Sequence, residues 1–291
     1  MRKLMPIILL IGALVIGAWI GWKKVRSEPW IGPTLRVDFI DAGEGDSIFI
    51  LTPDGASALI DAGDEENGAK VVEHLRRLGV HRVDLMVLTH PDSNHVGGAP
   101  AIFEAFSVTS VLDSGYQSDS EVIRRIIKLI HPSGATYGYA KIGMNIPLGQ
   151  RVKLEVLGPP ENLFRGTGSD ANNNSIVVRL VFGKVRMLLT GDIEKEAEGS
   201  LIANRLDLES QVLKVANLGS RNGTSLELLR LVRPQYIVIS EGAHNRYGYL
   251  HKSTLERIAP ERTGAVLLRT DENGTITFLT DGRRIEVEKE R

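Results

Sequence analysis

The chain has 291 residues, a net charge of −1 and no cysteine, which removes disulfide frameworks, thiolate metal sites, a cysteine nucleophile and a lipid-modified cysteine. Hydrophobic residues at 42% and charged residues at 24% describe one large or two small globular domains with a substantial core. The near-zero charge argues against a generally basic nucleic-acid binder, and aromatics at 5% leave no evident base-stacking platform.

The first segment differs from the rest. Leu4 to Trp22 is an unbroken run of apolar residues and glycines with one proline, Pro6. As a helix it spans roughly 28 Å at about 1.5 Å per residue, close to the ~30 Å hydrocarbon thickness of a bilayer. Arg2 and Lys3 flank it on one side, and Lys23, Lys24 and Arg26 on the other; Trp19 and Trp22 sit at its end, where interfacial aromatics belong. Residues 1–26 are therefore predicted to be an N-terminal membrane anchor, with residues 4–22 as one transmembrane helix. A cleaved signal sequence is the alternative, but its apolar region is shorter, about 7–15 residues, and no small-residue cleavage site precedes Lys23. The similar flanking charges leave the orientation open. Residues 27–33, "SEPWIGP", form a linker with proline and glycine punctuation, and 34–291 form the globular domain.

From Leu35 onward, short apolar strands alternate with helical segments. "LRVDFID", "SIFILTP" and "SALIDAG" are predicted strands, and "GAKVVEHLRRLG" is an amphipathic helix stopped at Gly79. "VDLMVLTH" has the nearly all-apolar pattern of a buried strand. "SIVVRLVFGKVRMLLTGD" is a hairpin turning at Gly183, followed by the helix "IEKEAEGSLIANRL". Glu194, Lys195 and Glu196 on it are expected to form a solvated face. "QVLKVANLG", "YIVISEG" and "AVLLRTDENGTITFLT" add strands, the last predicted to be a tight hairpin at Asn273-Gly274.

Two stretches match each other. Residues 47–64 and 175–192 both begin Ser-Ile, turn at a glycine and close with Gly-Asp, and in each a helix and then a buried strand follow. This pattern predicts a duplicated strand-rich unit, with two sheets packed between helices and strand ends from both halves meeting at one edge.

At the end of the first such strand, "LTHPDSNHVGG" places His90, Asp92, Asn94 and His95 on one loop, with Gly97 and Gly98 allowing a close turn. Imidazole nitrogen with carboxylate oxygen suits Zn²⁺, Mn²⁺ or Fe. Such an ion would act as a Lewis acid and lower the pKa of bound water toward ~7. Asp192, ending the matching strand of the other half, is a further candidate ligand. On spacing alone, a polar loop whose histidines cap strand and helix ends accounts for the cluster equally well.

The stretches "RVDFIDAGEGDSIFILTPDG", "LIDAGD", "VDLMVLTHPDSNHVGG", "NNNSIVVRL", "LLTGDIEKEAE", "LKVANLGSRNGTSLELL", "NRYGYLH" and "LRTDENGTITF" together resemble the metallo-β-lactamase superfamily. Within it they resemble the soluble domain of ComEC-type DNA-uptake competence proteins. The resemblance runs from about residue 35 to 285. It implies an α/β fold, a four-layer αββα sandwich of two related halves, and a metal-dependent hydrolase site.

It also implies roles. Where that family has His-x-Asp-x-Asp-His, this chain has His90, Asp92, Asn94 and His95. Its metal-bridging aspartate corresponds to Asp192, and its site-supporting aspartate to Asp61. Where the family reads Leu-Lys-Val-Pro-His-His-Gly-Ser, this chain has Asn217 and Leu218 in place of both histidines, and Tyr249 stands where another histidine is usual. By this correspondence His90, Asp92 and Asp192 hold one ion with help from His95, and Asp92 and His95 take part in catalysis. Asn94 and Asn217 are altered ligand positions of a second ion. A neutral amide oxygen is a weak substitute for carboxylate or imidazole on Zn²⁺.

Other polar residues carry two readings each. Asn172–Ser175 form a turn or, through Asn174, contact substrate. Thr224 or Ser225 caps a helix, and its N-terminus with Ser220 and Arg221 either holds a phosphate or is simply capped and solvated. His244, Tyr249 and His251 either wall the site or form a surface loop. Asn-Gly turns explain the two glycosylation-like triplets, at Asn222 and Asn273, more simply than modification does.

With the predicted anchor, the resemblance implies a membrane-tethered hydrolase of phosphodiesters, nuclease-like, with one Zn or Mn ion, anchored in the cytoplasmic membrane by a single pass and with its domain on the outer face, where the resembling domain is commonly placed. The alternative is a catalytically inactive member, without a metal, that binds or scaffolds at the membrane.

Overall fold

The computed structural model describes residues 34–242 and 250–291. The predicted anchor at 1–26 and the linker lie outside them, as do His244 and Tyr249. Among the described residues no helix is long and apolar enough to cross a membrane.

Fifteen strands form two sheets among the described residues. The first half contributes β1 (Leu35–Phe39), β2 (Ile48–Leu51), β3 (Ser57–Ile60), β4 (Arg82–Leu88), β5 (Ser107–Asp113) and β6 (Thr136–Tyr139). The second contributes β7 (Asn145–Leu148), β8 (Val152–Gly158), β9 (Val177–Phe182), β10 (Val185–Leu189), β11 (Val212–Lys214), β12 (Tyr236–Ile239) and β13 (Val266–Arg269). The chain then returns to the first sheet as β14 (Ile276–Thr280) and β15 (Ile285–Lys289). The sheet orders are β15-β14-β1-β2-β3-β4-β5-β6 and β13-β12-β11-β10-β9-β8-β7.

The repeat read between 47–64 and 175–192 extends to six strands a side. From β1 to β6 the pairings run antiparallel, antiparallel, then parallel three times. From β8 to β13 they run the same way. An antiparallel strand borders the first strand of each unit, β14 beside β1 and β7 beside β8.

Three apolar clusters define the layers. Val37, Ile50, Ile60 and Val87 meet Leu154, Val178, Leu180 and Met187 between the sheets. Outside the first sheet, Phe49, Met86 and Leu88 pack on helices α1 (Gly68–Arg77), α2 (Ala99–Ala105) and α3 (Glu121–Ser133). Outside the second, Leu188, Leu213 and Ile237 pack on α4 (Lys195–Ala203), α5 (Leu226–Val232) and α6 (Lys252–Ile258). This is the expected four-layer αββα sandwich. The helices follow local chemistry: α1 buries Val71, Val72 and Leu75 and stops before Gly79 at φ +72, while Ser120 caps α3 through Ile123 N–H at 3.3 Å.

One element departs from its sequence reading. Asn273-Gly274 does not close a hairpin, because β13 pairs only with β12 and β14 belongs to the other sheet. A single helical turn, Thr270–Asn273, carries the chain across. Thr270 Oγ1 donates to the Glu241 carbonyl at 2.8 Å, and Asn273 Oδ1 accepts from Arg269 N–H at 3.1 Å. The asparagine side chain thus serves the crossover rather than a two-residue turn.

Candidate metal centre

The strand ends of the two halves meet at one edge, as the backbone bond from Ile176 N–H to the Thr89 carbonyl, 2.9 Å, records. β4 is buried because it lies between two parallel neighbours and has helices on its outer face, so it delivers Thr89 and His90 into a dry setting. Asp61, leaving β3 at φ +56, organises this end. Its Oδ1 accepts from Thr89 N–H at 2.8 Å, and its Oδ2 accepts from Thr89 Oγ1 at 2.5 Å and faces His95 Nδ1 at 2.9 Å.

That arrangement determines the tautomer of His90. The Thr89 hydroxyl donates its hydrogen bond to the Asp61 carboxylate, so its oxygen is left to accept from His90 Nδ1–H at 3.0 Å. His90 Nε2 then carries a bare lone pair. It is buried and has no hydrogen-bond partner, and it faces Asp92 Oδ2 at 3.7 Å and Asp192 Oδ2 at 4.0 Å. Burial, helped by the charge on His95, lowers the pKa of His90 to about 4, keeping it neutral.

His95 sits beside it, ring centroids 4.2 Å apart. Its Nε2 lies 3.2 Å from Asp192 Oδ2. Burial opposes a charge there, but Asp192 and Asp61 outweigh it and raise the His95 pKa well above its ordinary value. Burial likewise opposes ionisation of Asp192, yet His95 and Lys214 hold that carboxyl well below the usual range.

Lys214 and Asp46 complete the centre, and neither stood out as a site residue in the sequence. Lys214, the last residue of β11, is fully buried with Nζ 2.5 Å from Asp46 Oδ2 and 3.5 Å from Asp192 Oδ1. Nζ also donates to the Gly191 carbonyl at 3.1 Å. Burial disfavours the ammonium, but Asp46 and Asp192 raise its pKa above the ordinary lysine value. The available signals were a lysine inside an otherwise apolar strand and an aspartate closing a Gly-Glu-Gly turn.

Asn217 is buried in the left-handed region at φ 48, followed by Leu218 at φ 49. Such strain in a leucine is a cost that surrounding packing must hold in place. Asn217 Nδ2 donates to Glu194 Oε1 at 3.0 Å, while its Oδ1 is buried without a partner. Asn172 and Asn222 also donate to Glu194, at 3.4 and 3.3 Å. Glu194 is therefore buried and gathers three amides instead of lying on a solvated helix face.

Several expected contacts are placed elsewhere. The Asn174 amide is fully used by Phe164 N–H at 2.9 Å and by the Phe164 and Asp170 carbonyls at 2.9 and 2.8 Å. It braces that loop rather than facing a ligand. Its neighbour Asn173 accepts from Glu194 and Ala197 N–H at the start of α4. Ser225, not Thr224, caps α5, bonding Leu228 N–H at 3.1 Å. The phosphate position before that helix is filled by Glu198, which accepts from the Thr224 and Ser225 N–H groups. Ser220 Oγ accepts from Asn222 N–H at 3.3 Å, and Arg221 is exposed. His251 is exposed and caps α6 through Ser253 N–H at 3.2 Å.

Two overlapping ligand groups emerge: Asp61, His90 and His95, and Asp46, His95 and Asp192. Asp61 is already committed to Thr89 and His95, which suits a supporting role. Asp92, half-exposed at 48% of its side chain, borders His90 from the open side.

A doubled unit whose strand ends converge on histidines and aspartates in an αββα sandwich defines a class. The chain belongs to the metallo-β-lactamase superfamily, whose family description matches residues 40–244. Among curated relatives, ComE operon protein 3 of Bacillus subtilis is 29% identical over 86% of this chain and 34% of its own length. Competence protein ComA of Neisseria gonorrhoeae is 31% identical over 89% of this chain and 34% of its own. This chain thus spans about a third of the length of these relatives. Among solved structures, CmlA, a diiron β-hydroxylase from Streptomyces venezuelae, aligns with a TM-score of 0.55 at 12% identity, over 86% of this chain and 55% of its own. Igni18, a metallo hydrolase from Ignicoccus hospitalis, aligns with a TM-score of 0.51 at 16% identity, over 84% and 98%. Both share the fold.

Proposed function

We propose that this protein is a metal-dependent hydrolase with a one-ion site, directed at phosphodiester bonds of nucleic acid and tethered to the cytoplasmic membrane through residues 4–22, its domain on the outer face. One observation carries the metal reading: the His90 Nε2 lone pair is buried, unpartnered and faces two carboxylate oxygens. A buried lone pair that faces only carboxylate oxygens has no donor, and a cation would supply its partner. The donor set of imidazole and carboxylate fits Zn²⁺ or Mn²⁺, with His90, Asp92 and Asp192 as the holders and His95 beside them. When bound, the ion would supply Lewis acidity and a water ionised near neutral pH.

The chain's own groups prepare the site. Thr89 fixes the His90 ring, Asp61 fixes Thr89 and His95, and Lys214 lends its charge to the second oxygen of Asp192 from 3.5 Å. Because Lys214 stands at Asp192 Oδ1 and Asn217 turns its amide nitrogen to Glu194, the arrangement favours one ion over two. His95, buried between the carboxylates of Asp61 and Asp192, orients Asp192 beside the ion. The nucleic-acid direction draws on the competence relatives.

Elemental analysis of the purified chain tests the metal reading. One equivalent of Zn or Mn is expected, lost in His90→Ala and Asp192→Ala. No retained metal after reconstitution would overturn it. A second reading, a catalytically inactive binding or scaffolding member, is favoured by Asp192 already having His95 and Lys214 as cationic neighbours; metal-free protein of full stability would support it.

A further inference from the structure

β6 is the open edge of the first sheet. Its side chains alternate. Ala140, just beyond it, turns into the core between the sheets, whereas Tyr137 and Tyr139 turn outward beside α3. Together with Ile127, Ile130, His131 and Ala135 they line a concave groove of about 360 Å³. Tyr137 is 40% exposed, Tyr139 54% and Ile127 45%, three of the six exposed large apolar side chains among the described residues. The two tyrosine rings stand edge to face, centroids 5.5 Å apart, which leaves ring face open in the groove.

Placement ties the groove to the metal centre. Tyr139 pairs with Asp113, and Asp113 pairs with Leu88, two residues before His90. At about 4.8 Å per strand, the groove starts roughly 10 Å across the sheet from the end of β4. The Tyr139 ring also packs on Gly115, in the loop leaving β5 at that same end. Beside the groove, Lys128 and His131 lie one turn apart on α3, both exposed, and Lys128 carries a positive charge with no ion-pair partner among the described residues.

We propose that this groove is a binding subsite for single-stranded nucleic acid, in which the Tyr139 ring stacks on a base, Tyr137 walls it edge-on, and Lys128 and His131 meet the flanking phosphates. The subsite deepens the hydrolase reading above by naming what feeds the site. An open aromatic face with a cationic side chain beside it is the pattern of sequence-tolerant strand binding. A membrane surface calls for protruding apolar side chains, whereas these line a concavity.

The test is fluorescence anisotropy of the full-length chain with a short labelled oligothymidylate, in EDTA. An abasic strand of equal length serves as comparison. Tyr139→Ala is expected to raise Kd about tenfold for the oligothymidylate, corresponding to ~1.4 kcal/mol, and to leave the abasic strand unchanged. Tyr139→Trp should preserve or tighten binding, and it separates stacking from misfolding. Equal Kd in wild type and Tyr139→Ala would overturn the proposal, as would an equal loss on the abasic strand. So would loss of a dimer, or of binding to phosphatidylglycerol vesicles, with oligonucleotide affinity unchanged. Because EDTA removes metal from every measurement, this result and the metal-content result fail independently.

Discussion

Lys214 places its buried ammonium 2.5 Å from the carboxylate of Asp46, joining the last residue of β11, an interior strand of one sheet, to a loop of the other sheet. The contact lies between halves, so it fastens the two repeats together at the edge where the candidate ligands gather. The same Nζ stands 3.5 Å from Asp192 Oδ1, which makes it the local counter-charge for two carboxylates.

Lys214→Met removes that charge and leaves Asp46 and Asp192 buried without it. Removing one partner of a buried pair typically destabilises by about 3–5 kcal/mol. Urea unfolding of the metal-free protein should show a loss of that order, and the double variant Lys214→Met/Asp46→Leu should be less damaged than the sum of its single changes. Strict additivity of the two changes would show that the pair is not coupled.

The two histidines predict opposite pH limbs in metal-free protein. His90 has a folded pKa of about 4, below the ordinary ~6.5, so between these values the unfolded chain binds more protons. Stability from this group therefore rises with pH over that range. His95 has a raised folded pKa, so its contribution is full below ~6.5 and is lost as pH climbs through the folded value. The melting temperature in EDTA should peak near pH 6.5. His90→Gln should flatten the acid limb and His95→Gln the alkaline one; limbs indifferent to both changes would sink the assignment. Metal affinity should rise with pH, because His95 sheds its proton as a cation enters.

Asn94→Asp with Asn217→His should raise bound Zn from one equivalent to two, read by elemental analysis. The imidazole at position 217 would occupy a conformation, φ 48, that asparagine tolerates well. Neither single change should suffice, since each restores one donor only. A double variant that keeps one equivalent would show that Lys214, rather than the asparagines, limits the site.

The fold and the gathering of His90, His95 and Asp192 at one edge were legible because their signals are local. "VDLMVLTHPDSNHVGG" holds an apolar strand and its ligand loop in one stretch, and Gly-Asp recurs at matching places in both halves. Asp46 and Lys214 were not legible, since their meaning arises only when strands from different sheets face one another. Glu194 read as solvated because charge runs usually are; three asparagines from separate segments fold over it. Asn273-Gly274 carries a true turn signature, yet the preceding strand is held parallel to β12, so the turn becomes a passage between sheets.

Gly45 provides a last test, of how tightly the ligand loop is held. It sits at φ +111, and an added Cβ would lie 1.7 Å from the Asn94 carbonyl oxygen. That oxygen belongs to backbone one residue before His95, whose own carbonyl accepts from Ala62 N–H at 2.8 Å, so the loop cannot yield without moving His95 off Asp192. Gly45→Ala should destabilise by about 2 kcal/mol or more, combining the strained φ with the clash, and should weaken metal binding in parallel. Gly55→Ala is the control: its φ of +85 carries similar backbone strain, but nothing lies within 4 Å of the new carbon. That variant should lose stability modestly and keep its metal. Metal retention by Gly45→Ala at wild-type affinity would mean that the 93–96 turn adjusts independently of the His95–Asp192 contact.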